Sequence, residues 1–151
     1  MRNTLEPLSA SVLSGFPEPD RASVRRAYEQ ELSKLNRKIV VLDDDPTGIQ
    51  TVHDVSVYTD WKKETLLEGF REKNSMFFVL TNSRGFTVEQ TRVAHREIAQ
   101  NIAAAAKAAG SDFLVISRGD STLRGHYPLE TETLRQVLEA ETGKTFDGEI
   151  I

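Results

Sequence analysis

The chain contains no cysteine. Disulfide bridges and thiolate metal sites are therefore excluded, and nothing ties the protein to an oxidising compartment. No apolar run approaches the roughly 18 residues that a membrane-spanning helix needs. The opening segment MRNTLEPLSASVLSGFPEPD has no continuous apolar stretch and does not read as a secretory signal. Basic residues are in the minority, 19 Lys and Arg against 23 Asp and Glu, for a net charge of −4. Without a basic stripe there is no electrostatic case for nucleic acid or for an anionic membrane. These absences leave a soluble cytoplasmic protein as the expectation. With 151 residues, 38% of them hydrophobic, the chain can build one core and one domain.

Residues 1–19 hold three of the five prolines and predict an extended or poorly ordered arm, with a single domain over 20–151. From Asp20 to about Leu35, the apolar Val24, Tyr28, Leu32 and Leu35 recur at helical spacing and predict an amphipathic helix. KIVVL (38–42), MFFVL (76–80) and FLVIS (113–117) are short apolar runs of the kind that form buried strands. DVSVYT (54–59) alternates and predicts an edge strand. DWKKETLLEGFRE predicts a helix from near Asp60. Thr87 with Gln90 forms a capping-box pattern at the head of a long helix that Gly110 closes, and His95 is expected on that helix's surface. Pro128 opens a last helix that Gly143 ends. GEII (148–151) reads as the start of a further strand, as if the 151 residues were one part of a longer protein. Helices alternating with doubly buried strands predict an α/β fold: a doubly wound, mostly parallel sheet flanked by helices.

In such folds ligands sit beyond the carboxyl ends of the strands. The first strand runs into Asp43, Asp44, Asp45, Pro46, Thr47 and Gly48; the second into Thr81, Asn82, Ser83, Arg84 and Gly85; the third into Arg118, Gly119, Asp120, Ser121, Thr122, Leu123, Arg124 and Gly125. Parallel strands bring all three clusters to one edge of the sheet. Turn and cap chemistry accounts for a Ser or an Asp in such loops, but not for Arg84, Arg118 and Arg124. Arginine forks hold carboxylate or phosphate, Asp and Asn bind hydroxyls, and glycine lets the backbone approach closely. The ligand expected from this chemistry is a small polyhydroxylated anion. No GxxxxGK[ST] motif is present, so no P-loop is predicted.

DDDPTG (43–48), TNSRG (81–85) and SRGDSTLRGHYPLE (117–130) resemble the signature segments of the four-carbon acid sugar kinases. The resemblance covers about residues 38–151, with Asp-Ser-Thr-Leu-Arg-Gly its most specific part. It departs from the commoner family form at Arg118, His126, Pro46 and Ile49. It implies an ATP-dependent kinase that phosphorylates the terminal hydroxyl of a sugar acid of the threonate, erythronate or oxo-tetronate type. The chain would be the N-terminal, substrate-binding half. ATP and Mg²⁺ would bind mainly a C-terminal domain outside these residues, so the piece alone would bind substrate without turning it over. By the same implication Arg84 and Arg124 hold the sugar carboxylate, and Arg118 assists there or with phosphoryl charge. Asp44, Asp45, Asn82 and Asp120 bind hydroxyls, with Asp45 the proton acceptor. Ser121 and Thr122 supply hydroxyl or backbone contacts, and Thr47, Gly48 and Gly125 belong to the same substrate site. No metal ligand is assigned within the chain.

Two other readings stand beside this one. IVVLDDDPT fits the hhhhDxDxT pattern of haloacid-dehalogenase-like phosphatases, with Asp43 as nucleophile, Asp45 as acid/base and Mg²⁺ between them. A third-motif Lys and a later acidic pair are missing, and SRGDSTLRG is left unexplained. The alternative is a sugar-acid-binding module without catalysis. RGD at 118–120 reads as a chance tripeptide. Partners are expected to be a small sugar acid and ATP; the sequence leaves the oligomeric state open, though an exposed sheet edge would encourage a homodimer.

Overall fold

The computed structural model describes residues 8–119 and 124–150, which fall into two compact units, Met1–Leu35 and Asn36–Ile151. In the first unit a short 3-10 turn, Ala10–Gly15, is capped by the Ser9 hydroxyl. Helix α1, Arg21–Lys34, starts where the Asp20 carboxylate accepts the Ala22 amide at 3.1 Å. Its apolar stripe of Val24, Tyr28 and Leu32 is present as the spacing predicts, and it is exposed.

The second unit is α/β. Strand β1 spans Arg37–Asp43, β2 Val57–Tyr58, β3 Met76–Leu80 and β4 Asp112–Arg118; helices α2 (Lys63–Arg71), α3 (Val88–Ala109) and α4 (Leu129–Thr142) alternate with them. The four strands form one all-parallel sheet in the order β2-β3-β1-β4. β1 lies between β3 and β4, and its Val40, Val41 and Leu42 are buried on both faces, as its apolar run requires. Val40 and Leu42 of β1 and Phe77 and Val79 of β3 share one face, on which Leu66 and Phe70 of α2, Ile98 and Ile102 of α3, and Leu134 and Leu138 of α4 pack. Each fully buried side chain there, such as Phe77 or Ile98, contributes about 1.5–3 kcal/mol of transfer free energy. At the amino end of β1, the half-aliphatic Lys38 is buried with its amine donating to the Glu72 (2.6 Å) and Asn74 carbonyls; burial pulls its pKa down.

α3 begins with the predicted capping box: the Thr87 hydroxyl accepts the Gln90 amide at 3.3 Å, and the Gln90 side chain accepts the Thr87 amide at 2.8 Å. It ends at Gly110, whose φ of 64° is the left-handed geometry that glycine adopts without a Cβ penalty.

Three expectations need correction. β4 is not a doubly buried strand but an edge: Phe113 and Val115 pack inward, while Leu114 and Ile116 are 46% and 43% exposed. An apolar run looks the same in sequence whether or not its second face is covered. His95 is not on the surface of α3 but buried, on the stripe that also carries Thr91, Ile98 and Ile102. Residues 148–150 are exposed and form no ladder, so the described part of GEII is not a strand; Ile151 lies outside the described residues. No described helix is long and apolar enough to cross a membrane.

Candidate functional site

The strand register brings the predicted loops level. Asp43, the last residue of β1, pairs with Leu80 at the end of β3 and with Arg118 at the end of β4. The ladder continues one step past the strands. Thr81 donates its amide to the Asp43 carbonyl at 2.8 Å, and Asp44 donates its amide to the Arg118 carbonyl at 3.1 Å. The Thr81 hydroxyl adds a bond to the same Asp43 carbonyl and meets the buried Ser83 hydroxyl at 2.9 Å. The carboxylates and arginines are thus held by continuous backbone pairing at the carboxyl edge of the sheet, where the sequence places them.

Three carboxylates and two guanidiniums interleave there. Arg84 binds Asp44 as a two-pronged fork, Nε to Oδ2 at 3.0 Å and Nη2 to Oδ1 at 2.8 Å, and its Nη1 reaches Asp45 Oδ2. Arg118 places Nη1 against Asp43 (3.3 Å), Asp45 (3.5 Å) and Asp44 (3.6 Å). The two arginines differ in what they leave over. Arg84 is mostly buried. Arg118 is 41% exposed, and among the described residues only its Nη1 makes these contacts, so Nε and Nη2 are on offer to a ligand.

The aspartates differ as well. Asp43 is fully buried; burial pushes its carboxyl above the usual range, with the Arg118 charge pulling the other way. Among the described residues its Oδ2 has no hydrogen-bond partner, and it lies against Gly48. A Cβ on Gly48 would come within 2.1 Å of that oxygen, so glycine here is a requirement of space. Asp45 accepts from both the hydroxyl and the amide (2.9 Å) of Thr47, and this hydrogen bonding, supported by Arg84 and Arg118, holds its carboxyl below the usual range. Thr47 therefore serves the site through Asp45. Asn82 takes φ = 52°, a left-handed position Asn tolerates, and turns the chain so that Arg84 can fold back onto Asp44.

The structure thus assembles Asp44, Asp45, Thr47, Gly48, Arg84 and Arg118, with Asn82 in the adjoining turn. Asp120, Ser121 and Thr122 lie outside the described residues. Beyond them, Arg124 is exposed and Gly125 has a φ of 91°. His126 then donates Nε2 to the Phe86 carbonyl at 2.7 Å, tying this segment to the turn after β3.

Sequence reasoning missed a polar layer beneath the cluster. Glu130, on the first turn of α4, and His95, on α3, are 3% and 2% exposed and line one nook with Asp44, Thr81, Ser83, Ser117, Arg118 and Gly119. A signal was available: Glu130 sits four residues before Leu134 and eight before Leu138, on the buried stripe of its helix.

Oxygen acceptors alternating with fork-shaped donors suit a ligand that carries several hydroxyls. The model of the sugar-binding N-terminal domain family matches residues 39–146, most of the chain, and the protein belongs to that family. No curated protein and no solved structure matches it.

Proposed function

We propose that this sugar-binding domain takes a four-carbon sugar acid, of the threonate or erythronate type, at the Asp43–Asp45, Arg84 and Arg118 cluster, and that it serves as the substrate half of an ATP-dependent sugar-acid kinase. The observation that carries the sugar-acid reading is Arg118. It is held at the end of β4 by three carboxylates through Nη1, and among the described residues its Nε and Nη2 make no such contact, which supports a role in binding an incoming anion. Asp45 and Thr47, at the rim, would take the hydroxyls. Arg84, spent on Asp44 and Asp45, would brace the site, so the carboxylate clamp falls to Arg118 together with Arg124.

The kinase reading rests on the family membership and on the signature segments. Phosphoryl transfer depends mostly on positioning and charge stabilisation. Asp45, ionised and hydrogen-bonded, would orient the attacking hydroxyl, though its lowered pKa makes it a weak proton acceptor. The carboxylates of Asp43, Asp44 and Asp45 lie within 4.8 Å of one another, a spacing a divalent cation accepts. Arg84 and Arg118 already fill the space among them, so these residues do not fit a resident Mg²⁺. ATP and its metal are assigned to a domain outside this chain, as the kinase resemblance implies. The same geometry disfavours a phosphatase: Asp43, which would be the nucleophile, is fully buried against Gly48. Homodimerisation and a cytoplasmic location belong to the same proposal.

Calorimetric titration with threonate and erythronate, with the neutral tetritols erythritol and threitol, and with ATP–Mg²⁺ tests the reading. Binding of a sugar acid with no heat from the tetritols or ATP supports it. Equal binding of acid and tetritol would remove the carboxylate clamp. Hydrolysis of a generic phosphate monoester would overturn the kinase assignment.

A further inference from the structure

His95 and Glu130 lie outside the proposed ligand cluster, yet they line a nook shared with its Asp44 and Arg118. They come from different helices, α3 and α4, and face one nook whose opposite wall is Asp44, Thr81, Ser83, Ser117, Arg118 and Gly119. The nook holds no water-sized void. Glu130 Oε1 is buried and has no hydrogen-bond partner among the described residues. A carboxylate oxygen left this way is costly unless a donor can be brought to it. The imidazole can supply one. His95 Nδ1 lies 2.9 Å from the Thr91 carbonyl, which only accepts, so Nδ1 carries the hydrogen and Nε2 is bare in the neutral ring. A proton taken up by the ring goes to Nε2 and creates a new donor in this largely polar nook.

The groups that face the ring decide how easily this happens. Burial opposes protonation most strongly. The Thr91 carbonyl and the Glu130 charge favour it, and His126, in the segment before α4, opposes it. Asp44, at the end of β1, and Arg118, at the end of β4, share the nook, and the β3 turn contributes the uncharged Thr81 and Ser83. The ring therefore lines the same nook as two residues of the ligand cluster, Asp44 and Arg118.

We propose that His95 and Glu130 form a buried positioning pair beneath the cluster, in which a proton gained by the imidazole adds a positive charge behind Asp44 and Arg118 and strengthens the hold on an anionic sugar. The pair acts through its neighbours and touches no substrate. The proposal rests on the sugar-acid reading for its consequence, but not for the coupling itself.

Nuclear magnetic resonance of the labelled chain between pH 8 and pH 5 reads that coupling without any ligand. The His95 ring carbons, the Arg118 Nε–H and the Asp44 side-chain carbon are followed together. The Arg118 and Asp44 signals are expected to inflect at the His95 midpoint, and Glu130→Gln, nearly isosteric, should move that midpoint to lower pH. Signals that ignore the His95 titration, or a midpoint unmoved by Glu130→Gln, would overturn the pair. Titration with threonate and erythronate at pH 7.5 and 5.5 reads the consequence. Affinity for the acid that binds should rise at least about threefold at the lower pH, and this rise should vanish in His95→Gln. Equal affinity at both pH values would overturn the tuning. If neither acid binds, the sugar-acid reading falls, while the resonances still decide the coupling.

Discussion

Arg84 and Asp44, 40 residues apart in sequence, meet fork to fork at 2.8 and 3.0 Å with only 17% and 4% of their side chains exposed. They meet because β1 and β3 are neighbours in register and Asn82 turns the chain back at the end of β3. Removing one partner of such a pair leaves the other charge buried. Arg84→Ala is expected to lower stability by about 3 kcal/mol. Arg84→Lys restores the charge but not the planar fork and should recover only part of the loss. Urea denaturation measures both; a loss below about 1 kcal/mol in the alanine variant would mean that the pair is incidental to the fold.

Gly48 gives the second prediction. A Cβ there would meet Asp43 Oδ2 at 2.1 Å and Cγ at 2.6 Å, and the carboxylate has no open space to retreat into. Gly48→Ala should displace Asp43 from Arg118, lower stability by about 1–3 kcal/mol and weaken sugar-acid binding. Thermal denaturation with calorimetry checks both effects. A variant with unchanged melting temperature and affinity would show that the loop yields freely.

The third concerns pH and folding. Burial holds the His95 pKa below its ordinary value of 6.5. The unfolded chain then takes up the proton first as pH falls. The stability tied to the neutral ring is complete above about pH 6.5 and is lost between there and the lower folded-state pKa. Wild type should therefore lose stability on acidification more steeply than His95→Gln does below about pH 6.5. Parallel curves for the two proteins would contradict this.

Much of the architecture was legible because short-range signals agreed with the final packing. The apolar runs of β1 and β3, the Thr87–Gln90 box and Gly110 each specify an element locally, and their alternation implies a parallel sheet. The loops at the strand ends were legible for the same reason, since parallel strands share a carboxyl edge. Strand order was not. Nothing in FLVIS distinguishes an edge from a centre, so the open side of β4 emerges only when β1 takes the middle of the sheet. His95 and Glu130 escaped notice because a charged or titratable residue on a helix is usually solvated. Their spacing to Ile98 and Ile102, and to Leu134 and Leu138, carried the contrary signal. The division of labour between Arg84 and Arg118 depends on which guanidinium nitrogens are already engaged, a matter of tertiary geometry that spacing does not encode.

The account turns on Arg118 as the arginine that meets the ligand. Calorimetric titration of wild type and Arg118→Ala with the sugar acid that wild type binds tests this most directly. Arg118 is 41% exposed but faces the fully buried Asp43, so truncation should cost some stability while leaving the domain folded. The account predicts at least a tenfold loss of affinity, about 1.4 kcal/mol, in a variant whose circular dichroism shows it still folded. Undiminished affinity in the variant would contradict it and move the anion-binding role elsewhere on the domain.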